Sequence, residues 1–287
     1  MGKPRRAQQK TCMRPLHVYK YQGAGNDFVI VDNRLGEADF LTPHLINRLC
    51  DRRFGIGADG LMTLCHSDVA DFEMHYYNAD GPEGTMCGNG GRCLVAFAAL
   101  MGLRRYEFLA WDGPHRADVL EFTPDRCIVR LKMIDVDQVL KLEDGWLLET
   151  GSTHFVQWVK DLKDYDVATE GKRLRWDMRF ANGANVNFVE PEPEGLFVRT
   201  YERGVEAETW ACGTGSTAAA IASWLRGVPG CIVADENGKR RVRYDIRTLG
   251  GRLSVDFLAE KDGSCHDVYL TGPATRVFET DIDPDRL

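Results

Sequence analysis

Two stretches of this chain repeat one another at a separation close to half its length. Residues 83–96 read EGTMCGNGGRCLVA and residues 208–221 read ETWACGTGSTAAAI. Glu-x-x-x-Cys-Gly-x-Gly followed by an apolar helix therefore occurs twice, with Cys87 and Cys212 lying 125 residues apart in a chain of 287. An internal repeat on this scale points to two similar domains, each presenting a cysteine at the mouth of a helix.

That position has a definite chemistry. The first turn of a helix carries unpaired N–H groups and a partial positive charge. A cysteine placed there ionises more readily than a free one. The Gly-x-Gly that follows lets the backbone approach a ligand and aim its N–H groups at a carboxylate or phosphate. Two such sites facing each other suit the inversion of a stereocentre. One thiolate takes the α-proton from one face, and a thiol supplies a proton on the other. The helix ends hold the carboxylate and stabilise charge as the carbanion forms. The competing explanation is that both cysteines are core residues beside turns, since free cysteine is commonly buried. The matched context of the two copies favours function. Cys50, Cys65, Cys93, Cys127, Cys231 and Cys265 have no such context and read as small hydrophobes.

Composition narrows the classes. Thirty-six Lys and Arg against 43 Asp and Glu leave a net charge of -7, which argues against a nucleic-acid partner. No apolar run approaches the ~18 residues of a membrane helix. The nine cysteines are odd in number and form no Cys-x-x-Cys pair, so neither a disulfide framework nor a zinc cluster is expected, and no metal site is assigned. The basic start MGKPRRAQQKTCMRP has no apolar stretch behind it, so it is no secretory signal, and it lacks the Ser or Thr of a myristoylation site. Free thiols in a reducing cytoplasm are the simplest expectation.

Residues 1–15 read as a loose tail, with Met13 a second candidate start. Phe28–Val31 is an apolar strand. Thr42 caps a helix with Pro43 at its first position and Leu45, Ile46, Leu49 and Cys50 on one face. Phe72, Met74 and Tyr76 alternate with polar residues at strand period. Apolar helices are expected from Gly88 to Gly102 and from Gly215 to Leu225, the second stopping at Gly227. Short strands fill the rest: Cys127–Leu131, Trp146–Glu149, Phe155–Val159, Val186–Val189, Leu196–Tyr201, a segment near Ile232, Val242–Ile246, Leu253–Leu258 and Val268–Leu270. Strands outnumber helices and do not alternate with them as βαβ units would, which favours α+β with mainly antiparallel sheets. The polar region Asp135–Trp146 reads as the loop between domains.

At these residues the sequence resembles the diaminopimelate epimerase family. GAGNDFVIVDN (23–33), RRFGIGADG (52–60), YNADGPEGTMCGNGGRC (77–93), ANVNFVE (184–190), YERGVEAETWACGTG (201–215) and LTGPA (270–274) follow in the family's order. The resemblance implies two pseudo-symmetric α+β domains, each a curled, mainly antiparallel sheet around a central helix, with the active site in the cleft between them. It implies an N-terminal domain over 16–137, a C-terminal domain over 138–271, and a last strand that returns residues 272–287 to the first. It implies interconversion of LL- and meso-diaminopimelate for lysine and cell-wall precursors, with no pyridoxal phosphate, other cofactor or metal, and it allows a homodimer.

Carried over residue by residue, Cys87 and Cys212 match the catalytic pair. His154 and Glu202 match the residues that adjust the thiols. Asn26, Asn78, Asn185, Glu202 and Arg203 match substrate contacts, and Gly88, Asn89, Gly213 and Thr214 match the carboxylate-binding helix ends. The residues themselves support this unevenly. Glu202 and Arg203 offer an anion and a cation to a zwitterionic far end, and the Arg fork suits a carboxylate, although a strand-end ion pair explains them as well. Asn26 and Asn78 lie at turns, where Asn is common for backbone reasons. A lone His154 is more often structural.

Two positions depart from the family pattern. Ser152, in Gly-Ser-Thr-His, stands where the family has an Asn that contacts substrate, and keeps only part of its hydrogen bonding. Gly60 stands where a Gln is usual. A related racemase of proline, hydroxyproline or histidine is the alternative within enzymes. A thiol redox sensor using Cys87 and Cys212, or a non-catalytic anion-binding module, would need neither Glu202 and Arg203 nor the Asn set.

Overall fold

The computed structural model describes residues 15–234 and 240–286. The tail expected over residues 1–15 lies, apart from Pro15, outside the described residues.

Among the described residues, four α-helices are embedded in a hydrogen-bonded network of strands. Helix α1, Pro43–Cys50, begins as its sequence requires: Thr42 is extended, its hydroxyl accepts the Leu45 N–H at 3.3 Å, and Pro43 follows. Helix α2, Gly88–Leu100, and helix α4, Gly213–Arg226, are rich in Gly and Ala and buried along almost their whole length. Sheet curls closely around each, because small side chains leave no bulk to hold it off. Helix α3, Val167–Arg175, is capped by Asp166, which accepts from Thr169 N–H at 3.0 Å. The sequence reading had no helix there.

The two halves repeat the same pattern of helix crossovers. In the first, Asn26–Asp32 runs parallel to Gly60–Cys65 across α1, and Phe72–Asn78 runs parallel to Glu107–Ala110 across α2. In the second, Thr153–Trp158 runs parallel to Asn185–Glu192 across α3, and Gly195–Glu202 runs parallel to Arg240–Thr248 across α4. These four steps are helix crossovers, so the expectation that helices and strands do not alternate was wrong. A parallel connection needs a dozen or more residues and a helix to bring the chain back, and each half has two. The remaining pairings among the described strands are antiparallel, so the α+β, mainly antiparallel assignment stands.

One strand belongs to both halves. Cys265–Ile282 pairs with Gly251–Ala259 of the second half as far as Thr271. Over Gly272–Thr275 it pairs with Arg126–Val129, and over Thr275–Ile282 with the first strand, Leu16–Gly23. The buried side chains around α2 and α4 accordingly form one continuous core, with smaller clusters under α1 and α3.

Other local expectations change. The 135–146 segment is not all loop: Val139–Lys141 is a strand, and Val136 bridges to Cys265. Cys231 is exposed rather than a core hydrophobe, whereas Cys50, Cys93, Cys127 and Cys265 are buried. No helix among the described residues is long and apolar enough to cross a membrane.

Candidate active site

The two repeated motifs meet head to head. Cys87 and Cys212 are the N-caps of α2 and α4, both in extended conformation. A Cβ on Gly213 would lie 3.5 Å from the Cα of Gly88, in van der Waals contact across the junction, and 2.9 Å from Leu270 Cδ2, too close without a shift of that side chain. Leu270, from the shared strand, is wedged against both. The positive ends of two helices thus converge on one spot, an arrangement suited to an anion. The motifs' glutamates point away from it: Glu83 pairs with His75 at 2.7 Å and Glu208 with Arg199 at 2.6 Å.

Around Cys87 the first half supplies amides. A two-residue hairpin turn, Ala24 and Gly25, both at positive φ as a type I′ turn requires, delivers Asn26 to the start of its strand. Cys87 Sγ lies 3.6 Å from Asn26 Oδ1, within reach for sulfur. Asn89 Nδ2 donates to the same oxygen at 3.4 Å and to the Ala211 carbonyl at 2.9 Å, which ties α2 to the residue before Cys212. Asn26 Nδ2 donates to Asp59 Oδ2 at 2.5 Å, and Arg52 holds Asp59 at 2.6 Å. Arg92, fully buried, donates to Asn89 Oδ1 at 2.9 Å and to Gly88 O at 3.1 Å.

Around Cys212 the second half supplies hydroxyls and a histidine. Cys212 Sγ is 3.4 Å from Thr214 Oγ1, which is 2.9 Å from His154 Nε2. Ser152 Oγ reaches the same nitrogen at 3.0 Å. Asn187 Nδ2 donates to His154 Nδ1 at 3.0 Å, which leaves Nε2 as the protonated nitrogen. Burial lowers the His154 pKa to about 3, so the ring is neutral and donates towards Thr214. Asn185 gives its amide N–H groups to Ser152 Oγ and Thr153 O, each at 3.1 Å, and accepts Arg203 N–H at 2.8 Å, so its amide is engaged within the protein.

Burial pushes Cys87 above its ordinary value, against the pull of the Gly90 and Asn89 N–H groups. Burial also pushes Cys212 well up, with the Glu202 carboxylate adding to the rise. The expectation that a helix mouth by itself yields a ready thiolate is therefore corrected: with the halves closed, desolvation outweighs the helix field. Glu202 is itself raised by burial. Arg203 beside it makes no ion pair or side-chain hydrogen bond among the described residues, leaving its guanidinium free for a ligand. Asn78 is exposed at its strand end, opposite Gly60. Gly60 has no room for a side chain, since a Cβ there would meet the Tyr76 ring at 2.6 Å. No group of three or more potential metal ligands exists among the described residues.

The structure thus gathers Cys87, Gly88, Asn89, Asn26, Cys212, Gly213, Thr214, His154 and Ser152 at the helix junction, with Asn185, Glu202 and Arg203 along one wall. The sequence reading missed Asp59, Arg92 and Asn187. Arg92 stood inside the first motif, at the place that Thr217 fills in the second. Asp59 lay in a quoted block with no role, and Asn187 two residues after Asn185 on the same strand face.

Comparison with known proteins identifies the family. A family model described as diaminopimelate epimerase matches residues 18–113 and 146–277. The diaminopimelate epimerase of Flavobacterium psychrophilum is 44% identical over 271 residues, covering 93% of this chain and 100% of that protein. That of Aquifex aeolicus is 35% identical over 294 residues, covering 95% and 99%. Among solved structures, a Bacillus anthracis phenazine biosynthesis protein of the PhzF family aligns with TM-score 0.70 at 16% identity, covering 94% of this chain and 99% of that one. A hydroxyproline epimerase from Agrobacterium vitis aligns with TM-score 0.64 at 14% identity, covering 94% and 91%. At such identities the last two speak for the fold alone.

Proposed function

Because the chain belongs to the diaminopimelate epimerase family, we propose that it is an isomerase that interconverts LL-2,6-diaminopimelate and meso-diaminopimelate, using Cys87 and Cys212 as acid and base. The observation that carries this reading is the head-to-head meeting of two helices, each capped by a cysteine. The α-carboxylate sits where the N–H groups of Gly88, Asn89, Gly213 and Thr214 converge. A thiolate on one side takes the α-proton. The electron pair left on carbon is delocalised into the carboxylate, which the two helix ends stabilise. The thiol on the other side delivers its proton to the opposite face, so one proton leaves and one arrives. The thiols supply both positions, and the reaction needs no cofactor.

Enclosure suits such a step. Water would compete for the carbanion, and a dry site strengthens the N–H groups' hold on its charge. His154 acts through Thr214 on Cys212, and Ser152 and Asn185 set the position of that histidine. Glu202 raises both thiols and faces the substrate's ammonium groups. Arg203 receives the distal carboxylate, which favours this substrate over proline, hydroxyproline or histidine. Asn26 and Asn78 contact the rest of the chain. We further read residues 16–137 with 272–287 as one domain and 138–271 as the other, supported by the change of strand partner after Thr271. A cytoplasmic homodimer serving lysine and cell-wall precursor supply completes the reading.

The test is incubation with LL-diaminopimelate in heavy water and stereochemical analysis of the product. Deuterium at the α-carbon of the inverted centre is expected, because the donor thiol exchanges with solvent. Inverted product without deuterium would rule out two distinct bases.

A further inference from the structure

Four side chains beside Cys87 form a run whose hydrogen-bond direction is fixed at both ends. Arg92 is donor-only, so the atom of Asn89 it meets at 2.9 Å is the carbonyl oxygen. Asn89 must then turn its NH₂ the other way, to Ala211 O and Asn26 Oδ1. At the far end Asp59 is an acceptor-only carboxylate, so it receives the NH₂ of Asn26 and leaves the Asn26 carbonyl facing Cys87. The Arg92 cation, together with the Ala211 carbonyl, thus orients the Asn89 amide, and the Asp59 anion orients that of Asn26.

Both ends are held from outside. Asp59 is gripped by Arg52, which also binds Asp27 at 2.6 Å, and Asp27 in turn binds the buried Lys20 at 2.6 Å. Arg92 is completely buried, makes no ion pair among the described residues, and has an Nε without a partner. A buried guanidinium so poorly compensated is costly to keep. The second half does without it: Thr217, at the matching place, satisfies the Gly213 carbonyl with a hydroxyl. Helix closure therefore does not explain the charge.

We propose that Asp59 and Arg92 are positioning residues that lock the amides of Asn26 and Asn89, so that Cys87 meets a carbonyl oxygen and is held as the hydrogen-bond donor, the thiol, in the closed substrate-free site. Cys212 has no such one-way partner, because the Thr214 hydroxyl at 3.4 Å can donate as well as accept. The inference rests on the two-thiol reading above. The charged and titratable groups facing Cys87 are Arg92 and Cys93 on its own helix, Glu202 and Tyr76 on flanking strands, and Cys212 opposite.

The test reads the pH midpoint of iodoacetamide labelling at each cysteine by peptide mass, on the full chain without substrate. Asp59→Asn frees the Asn26 amide to flip and offer N–H to the sulfur, which favours the thiolate. The Cys87 midpoint should fall by about one pH unit, with Cys212 unmoved. Asp59→Glu keeps the charge but displaces the carboxylate, and should shift Cys87 in the same direction. In an Asn26→Ala background neither change should move it further. No shift at Cys87, a shift in Asp59→Asn but not in folded Asp59→Glu, or a full shift that persists without Asn26 would each overturn the proposal. Turnover is not read, so a failure of the epimerase assignment would be seen separately, in the heavy-water experiment.

Discussion

Arg92 and Thr217 perform the same bond in the two halves: each donates at 3.1 Å to the carbonyl of the glycine that opens its helix. The backbone of the repeat is preserved while its chemistry has diverged, a guanidinium with two amides on one side, and a hydroxyl with a neutral imidazole on the other. Two thiols in unlike surroundings can hold unlike protonation states, as acid and base require.

Replacing either Cys87 or Cys212 by Ala should abolish net epimerisation of LL-diaminopimelate, since each direction needs a base on one face and an acid on the other. Turnover retained in either variant would show that the acid or the base is a different group.

Arg203→Lys keeps the charge and loses the bidentate fork. The free guanidinium predicts a fall in kcat/KM of more than tenfold, roughly 1.4 kcal/mol or above. An unchanged kcat/KM would place Arg203 outside the site.

Oxidation should inactivate. With Gly88 and Gly213 in contact, the cysteines that precede them can approach the ~7 Å Cα separation a disulfide needs. Activity should fall in air and return with dithiothreitol, and substrate should protect. Because burial raises both thiols, the loss should quicken as pH rises and thiolate accumulates. Peptide mapping that finds both thiols free in inactive protein would refute the facing geometry.

His154 makes stability depend on acid. Its folded pKa is depressed, to about 3 from 6.5, so below 6.5 the unfolded chain binds a proton that the folded site refuses. The stability it contributes is complete above pH 6.5 and is lost as pH falls towards 3. Denaturant titrations of the parent and of His154→Gln at pH 6 and pH 4 should differ in slope by on the order of 1 kcal/mol per pH unit. Parallel pH profiles would mean that the ring is charged in the fold.

Gly213→Ala should lower both stability and activity. The new methyl group meets Leu270 at 2.9 Å, and overpacking of this kind costs roughly 1–3 kcal/mol. Thermal melting and kcat/KM would be measured together; a variant with parental kcat/KM would show that the helix mouths need not be this close.

What could be read from the sequence was local or repeated. Helices α2 and α4 were legible because both are apolar and each follows the same Cys-Gly-x-Gly. Helix α3 was not, since among Val167–Arg175 few side chains are apolar and polar residues separate the buried Val167 and Leu174; its match to α1 at the repeat's own offset was the available signal. Residue pattern alone showed the shared strand only at Val268–Leu270, and its return over 272–287 came from the family resemblance, because beyond Thr271 it turns polar and half-exposed and its partner Leu16–Gly23 lies at the other end of the chain. The helix-mouth cysteines were legible as a pair, but burial, which reverses the expected direction of their ionisation, is a property of closure. The contact between Asn26 and Asp59 spans 33 residues, and nothing in either segment alone announces it.

The strand Cys265–Ile282 also sets the order in which the protein can mature. A ribosome makes it after every other described strand, yet Leu16–Gly23, made first, depends on it for one of its edges. While synthesis proceeds, the early half exposes an unpaired β edge, the kind of surface that invites wrong partners. Completion waits for a contact between opposite ends of the chain, which makes folding slow for its size. Nascent chains stalled before residue 265 should lean on chaperones, and the junction of the two helix mouths, wedged by Leu270, can form only once residue 270 has left the ribosome.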